Sequence, residues 1–183
     1  MNTYQQLEMQ YELGKAKSDN GEEVNRLEVM FVGYALDAVD TGMRNFKVEL
    51  DFSENSVKEV ERILDILNKT LNRDKPSDAT VMSFAKQFSG YIGQVMMMKW
   101  GGEWIDESNY SFNNGHALRI GEQDLFLLSK VHRRITRGPE ENVYHFFQVI
   151  KKDIEGASDL NEVNIERLVV KDKKNWIQKI FNK

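Results

Sequence analysis

The densest chemistry in this 183-residue chain is SKVHRRITRG, residues 129 to 138, which holds Lys130, Arg133, Arg134 and Arg137 and no acid. Guanidinium groups gathered this way recognise carboxylates and phosphates through paired N–H donors. Arg119, in the adjoining strand pattern, and Trp104, which follows the pair Gly101 and Gly102, complete a candidate surface for an anion or an acidic protein loop. The basic residues also have a plainer use. Cations in the last turns of a helix complement its negative end and cap its free carbonyls.

Other chemistries find fewer of the residues they need. His116, His132 and His145 stand alone, with no i, i+4 pair, and the chain has no cysteine, so a zinc site and thiolate chemistry both lack ligands. There is no G-x-S-x-G elbow and no S-x-x-K, and Ser89 sits inside an apolar helix pattern rather than on an exposed turn. Gly90-Tyr91-Ile92-Gly93 has the spacing of a G-x-x-G nucleic-acid loop. Phe88, Ile92 and Val95 surround it with core material, however, which favours close helix packing. Asp37 with Asp40, and Asp106 with Glu107, are the carboxylate pairs that acid–base work would use, and such pairs are equally ordinary on solvated faces.

No cofactor and no metal are therefore expected. The leading expectation is a non-enzymatic protein-interaction module, immunity-like or regulatory, that binds a protein partner through Trp104, Arg119, Arg133, Arg134 and Arg137. The alternative is an enzyme or small-ligand protein that holds a phosphate or carboxylate on the same arginines. A net charge of −4, from 25 basic and 29 acidic residues, gives no global attraction to nucleic acid or anionic lipid. The longest apolar runs, 95–98 and 125–128, are far short of the roughly 20 residues that span a bilayer. The absence of cysteine and of a secretory start favours a cytoplasmic location.

The elements that must position these residues follow from apolar spacing. Asp19 or Asn20 is expected to cap a helix bearing Val24, Leu27, Phe31, Tyr34 and Ala38. Phe46, Val48, Leu50 and Phe52 alternate as a strand does. Ser53 or Ser56 opens a helix with Val57, Val60, Ile63, Leu64 and Leu67 on its inner stripe. Ser77 or Asp78 starts a helix near 78–99 that is apolar over so wide an arc that it must be buried. Glu103 to Asp106, His116 to Ile120 and Asp124 to Leu128 read as an antiparallel meander. Ser129 caps a short basic helix closed by Gly138, and Pro139 opens another with Val143, Phe146, Phe147 and Ile150. The expected fold is α+β: a small antiparallel sheet of about four strands against several helices, in one domain with a core over about 20–155. The appendage 157–183 ends in an amphipathic helix with Trp176, Ile177, Ile180 and Phe181, which would dock on the domain or on a second copy as a homo-oligomer contact.

Three segments in order, DFSENSVKEVERIL at 51–64, FSGYIGQVMMMKWGGEW at 88–104 and ALRIGEQDLFLLSKVHRRITRG at 117–138, resemble a widespread set of bacterial cytosolic domains of unknown function. The resemblance covers about residues 45–150. It rests on the serine-started helix (Ser53, Ser56), the glycine-tyrosine helix that ends before a tryptophan (Gly90, Tyr91, Gly93, Trp104) and the basic turn (Arg134, Gly138). Where members of that set often carry an acid after the second glycine, this chain has Gln94 and Val95, which argues against a carboxylate acting there. Small domains of this kind accompany toxin–immunity and other interaction systems, an association that is an analogy and carries no activity of its own.

Overall fold

The computed structural model describes residues 1–106 and 115–156, and the chain divides into two compact units, 1–144 and 145–183. The described part of the second unit, 145–156, is helical. The expected C-terminal helix around Trp176 and Phe181 lies outside the described residues, as does Glu107 of the second carboxylate pair. The first unit is α+β as expected, with helices predominating and a three-stranded antiparallel sheet in place of about four strands.

Its helices are α1 (Thr3–Asp19), α2 (Arg26–Thr41), α3 (Ser56–Asp74), α4 (Asp78–Trp100) and α5 (Leu127–Arg137); its strands are β1 (Glu103–Asp106), β2 (His116–Ile120) and β3 (Gln123–Leu125). The sheet order is β1-β2-β3, with Trp104 opposite Leu118 and Arg119 opposite Asp124.

α4 is the buried pillar that its sequence predicts, enclosing Val81, Ala85, Phe88, Tyr91, Ile92 and Val95. Ser77 caps it by accepting from the Thr80 backbone N–H, which supplies a partner for one of the orphan donors of the first turn. Gly90 lets α2 approach to backbone distance: a Cβ there would lie 2.7 Å from the Phe31 carbonyl oxygen and 2.8 Å from the Tyr34 Cβ. No side chain larger than hydrogen fits without moving one of the helices.

Besides α5, which starts at Leu127 so that Ser129 lies inside it instead of capping it, two expectations in the N-terminal half are corrected. Thr3–Asp19, to which apolar spacing assigned no element, form α1. Asn2 and Gln5 make a reciprocal capping box, Asn2 accepting from the Gln5 N–H at 2.9 Å and Gln5 accepting from the Asn2 N–H at 3.1 Å. Only Leu7 of this helix is buried, so no apolar stripe announced it. α2 accordingly starts later than the sequence suggested, with Asn25 as its cap in place of Asp19 or Asn20.

The second correction concerns the strand expected at Phe46 to Phe52. α2 continues into a π-helical turn, Gly42–Phe46, Lys47 then turns through the left-handed region at φ 57°, and 48–51 form no strand. Leu50 and Phe52 are buried, as their alternation predicts. The Phe52 N–H, however, donates to the Tyr91 hydroxyl at 2.7 Å, and Tyr91 in turn shares a 2.6 Å hydrogen bond with Ser56. A side chain of α4 thus takes the place of a neighbouring strand, and Phe52 sits in the left-handed region at φ 62°. Burial pushes the Tyr91 hydroxyl up to about 12.

Candidate functional site

α5 forms because Leu127, Val131 and Ile135 recur at helical spacing and bury one face, while Gly138, at φ 115°, stops it. Lys130, Arg133 and Arg137 lie three and four residues apart and therefore share a different face. Arg134 does not join them. It falls seven residues after Leu127 and three after Val131, at the edge of the buried face, and it is only 1% exposed.

The buried guanidinium bridges α5 to α3. Its Nε donates to Glu61 Oε1 at 2.7 Å and its Nη2 to Asp65 Oδ1 at 3.0 Å. The other Glu61 oxygen accepts from the Val143 backbone N–H at 2.8 Å. Asn68, also on α3, donates to the Ile135 carbonyl at 2.7 Å, a second polar tie along the same seam. Hydrogen bonds from Lys69 and then Arg134 hold the Asp65 carboxyl below its ordinary value. Nη1 of Arg134 is buried and has no hydrogen-bond partner among the described residues.

The outer face is built around one acid. Glu141 belongs to a short 3-10 turn, Pro139–Glu141, that immediately follows Gly138. Its Oε2 accepts from Lys130 at 2.9 Å and its Oε1 from Arg133 Nε at 3.0 Å, while Arg137 Nη1 stands 3.8 Å away. The Lys130 hydrogen bond, followed by that from Arg133, lowers the pKa of the Glu141 carboxyl against the opposing effect of burial. Arg133 Nη1 also donates to Ser129 Oγ at 2.9 Å. The side chain of Arg133 is 33% exposed and that of Arg137 is 61% exposed. Arg137 makes no hydrogen bond within the described residues, and Nη2 of Arg133 has no partner there.

The remaining two candidates lie elsewhere. Arg119 on β2 forms a bidentate pair with Asp124, its cross-strand neighbour on β3, at 2.7 and 2.8 Å. That pairing lowers the pKa of Asp124. Trp104 is 2% exposed and lies flat on Phe31, with ring centroids 3.5 Å apart. A Cβ at Gly93 would come within 2.4 Å of its ring, so the second glycine of the Gly90–Gly93 pair makes room for an indole rather than a phosphate. Asn25 links this strand to α2, capping the helix through its carbonyl oxygen and donating to the Trp104 carbonyl at 3.2 Å. The indole Nε1 has no hydrogen-bond partner among the described residues.

The sequence could reveal Lys130, Arg133 and Arg137 as a set, but it could not supply Glu141 as their common partner, because the helix ends between them. The signal it did contain was the phase of Arg134, which matches Leu127 and Val131 rather than Arg133.

On α2, burial and then the neighbouring Asp40 raise the pKa of Asp37, and Asp40 meets Arg44 at 3.3 Å. A cleft of about 500 Å³ opens beside this helix, lined by Tyr4, Val39, Asp40, Met43, Glu49 and Phe52 among others. Its rim is acidic and none of the candidate arginines lines it, so it does not suit an anion. Among the described residues no cluster of histidine and carboxylate side chains is placed to hold a metal ion, and no helix is long and apolar enough to cross a membrane.

Comparison with protein-family models, curated proteins and solved structures finds no match to this chain.

Proposed function

We propose that this chain is a non-enzymatic protein-interaction module, immunity-like or regulatory in role, that presents the outer face of α5 to a partner. The single observation behind the reading is that Arg133 and Arg137 share a face and keep guanidinium donors unused by the described residues. Arginine in this state pairs readily with a partner's carboxylate, and its planar fork loses little freedom on binding. Arg119 lies elsewhere, closed on Asp124, and is left out of the proposed face. Trp104 and Arg134 serve the module by fixing β1 and α5.

The test is retention of proteins from the source cell on the immobilised full chain, compared with an Arg133→Glu/Arg137→Glu variant whose fold is first checked by circular dichroism. The reading expects an acidic partner that the parent chain retains and the variant loses. An identical set of retained proteins on both would contradict it.

A further inference from the structure

The outer face of α5 already holds a carboxylate, and that carboxylate comes from the chain itself. Glu141 sits among Lys130, Arg133 and Arg137 in the way an acidic side chain of a partner would, with two oxygens on separate cations at 2.9 and 3.0 Å and the third cation at 3.8 Å. Resting on the binding role proposed above, we infer that Glu141 is a built-in competitor. The partner chemistry this face accepts is an aspartate- or glutamate-bearing segment, and binding exchanges Glu141 for a carboxylate of that segment on Arg133 and Arg137.

Three features favour exchange over a fixed ion pair. Glu141 is carried on a turn outside the helix, held by backbone hydrogen bonds from Glu141 to Gly138 and from Asn142 to Pro139 at 3.1 and 3.2 Å, so it can withdraw without unwinding α5. The cations it would leave face outward on Arg133 and Arg137, whereas the Arg134 guanidinium on the inner face is buried. Exchange also leaves the guanidiniums paired before and after, which avoids the cost of stranding a charge. The consequence is selectivity: a lone carboxylate competes poorly with a tethered one, while a segment with several acids engages Arg133 and Arg137 together.

The experiment titrates a hexaglutamate peptide, at low ionic strength, into the full chain and into the Glu141→Gln, Glu140→Gln and Arg133→Gln/Arg137→Gln variants. Glu140→Gln makes the same charge change one residue away, at a side chain that pairs with none of these cations. Glu141→Gln is expected to tighten binding by roughly three- to tenfold, against less than about twofold for Glu140→Gln, and the double arginine variant to lose binding. Equal tightening by the two glutamine variants would overturn the exchange while leaving the binding role standing. Equal binding by the parent and the double arginine variant, or no binding by any form, would overturn both. Should Glu141→Gln fail to fold, Glu141→Asp keeps the charge but shortens its reach; it is expected to tighten binding, and unchanged affinity would count against the exchange.

Discussion

α4 meets α2 through shape, whereas α5 meets α3 and its own following turn through charge. In the first seam a missing side chain at Gly90 lets a backbone approach, and Phe31, Trp104 and Gly93 stack into a gap with no room to spare. In the second, Arg134, Glu61 and Asp65 on the inner side and Arg133, Lys130 and Glu141 on the outer side are held by hydrogen-bonded ion pairs. A close-packed seam has one arrangement. An ion-paired seam that reaches solvent can change partners, and for that reason the proposed binding role is assigned to α5 and not to the more apolar α4.

This contrast can be broken most forcefully at Gly90. Gly90→Val is expected to destabilise the fold by about 3 kcal/mol or more in urea unfolding, because the new side chain meets backbone atoms that cannot yield; a cost below about 1 kcal/mol would mean that the helices adjust freely. Gly93→Ala is expected to cost less, about 1–3 kcal/mol, since the Trp104 ring can shift, and tryptophan fluorescence should change with it. Tyr91→Phe removes the acceptor of the buried Phe52 N–H and the partner of Ser56, for about 1–2 kcal/mol by the same measurement.

A smaller effect distinguishes the charged seam by acid. The carboxyls of Glu141, Asp65 and Asp124 all have folded pKa values depressed by cationic partners. Their contribution to stability is therefore complete above the ordinary carboxylate range near about 4 and is lost as pH falls through their folded values. The melting temperature should decline on acidification below about pH 4, and Glu141→Gln should reduce the steepness of that decline. An unchanged acid profile in Glu141→Gln would remove Glu141 from the set.

The sequence made α3, α4 and α5 legible because each repeats an apolar stripe and carries a punctuating residue: Pro76 before α4, Gly101 after it, Gly138 after α5. It hid α1, which buries only Leu7 and is defined by its Asn2 cap, and it suggested a strand at Phe46–Phe52 because alternation reports which side chains are buried, not where backbone hydrogen bonds go. The same limit applied to the arginines. Residue type identified them as a group, but the 100° step between Arg133 and Arg134 divides that group between solvent and core. Their acids, Glu61 and Asp65 on one side and Glu141 on the other, come from elements whose placement no local pattern encodes.

The division of α5 is tested most directly by measuring equilibrium urea unfolding of Arg134→Ala and Arg137→Ala side by side. Arg134→Ala is expected to cost about 3–5 kcal/mol, because it empties a buried guanidinium site and strands the largely buried Glu61, while Asp65 keeps Lys69, and Arg137→Ala less than about 0.5 kcal/mol. Equal costs for the two would contradict an inner arginine that braces the fold beside an outer one left free to bind.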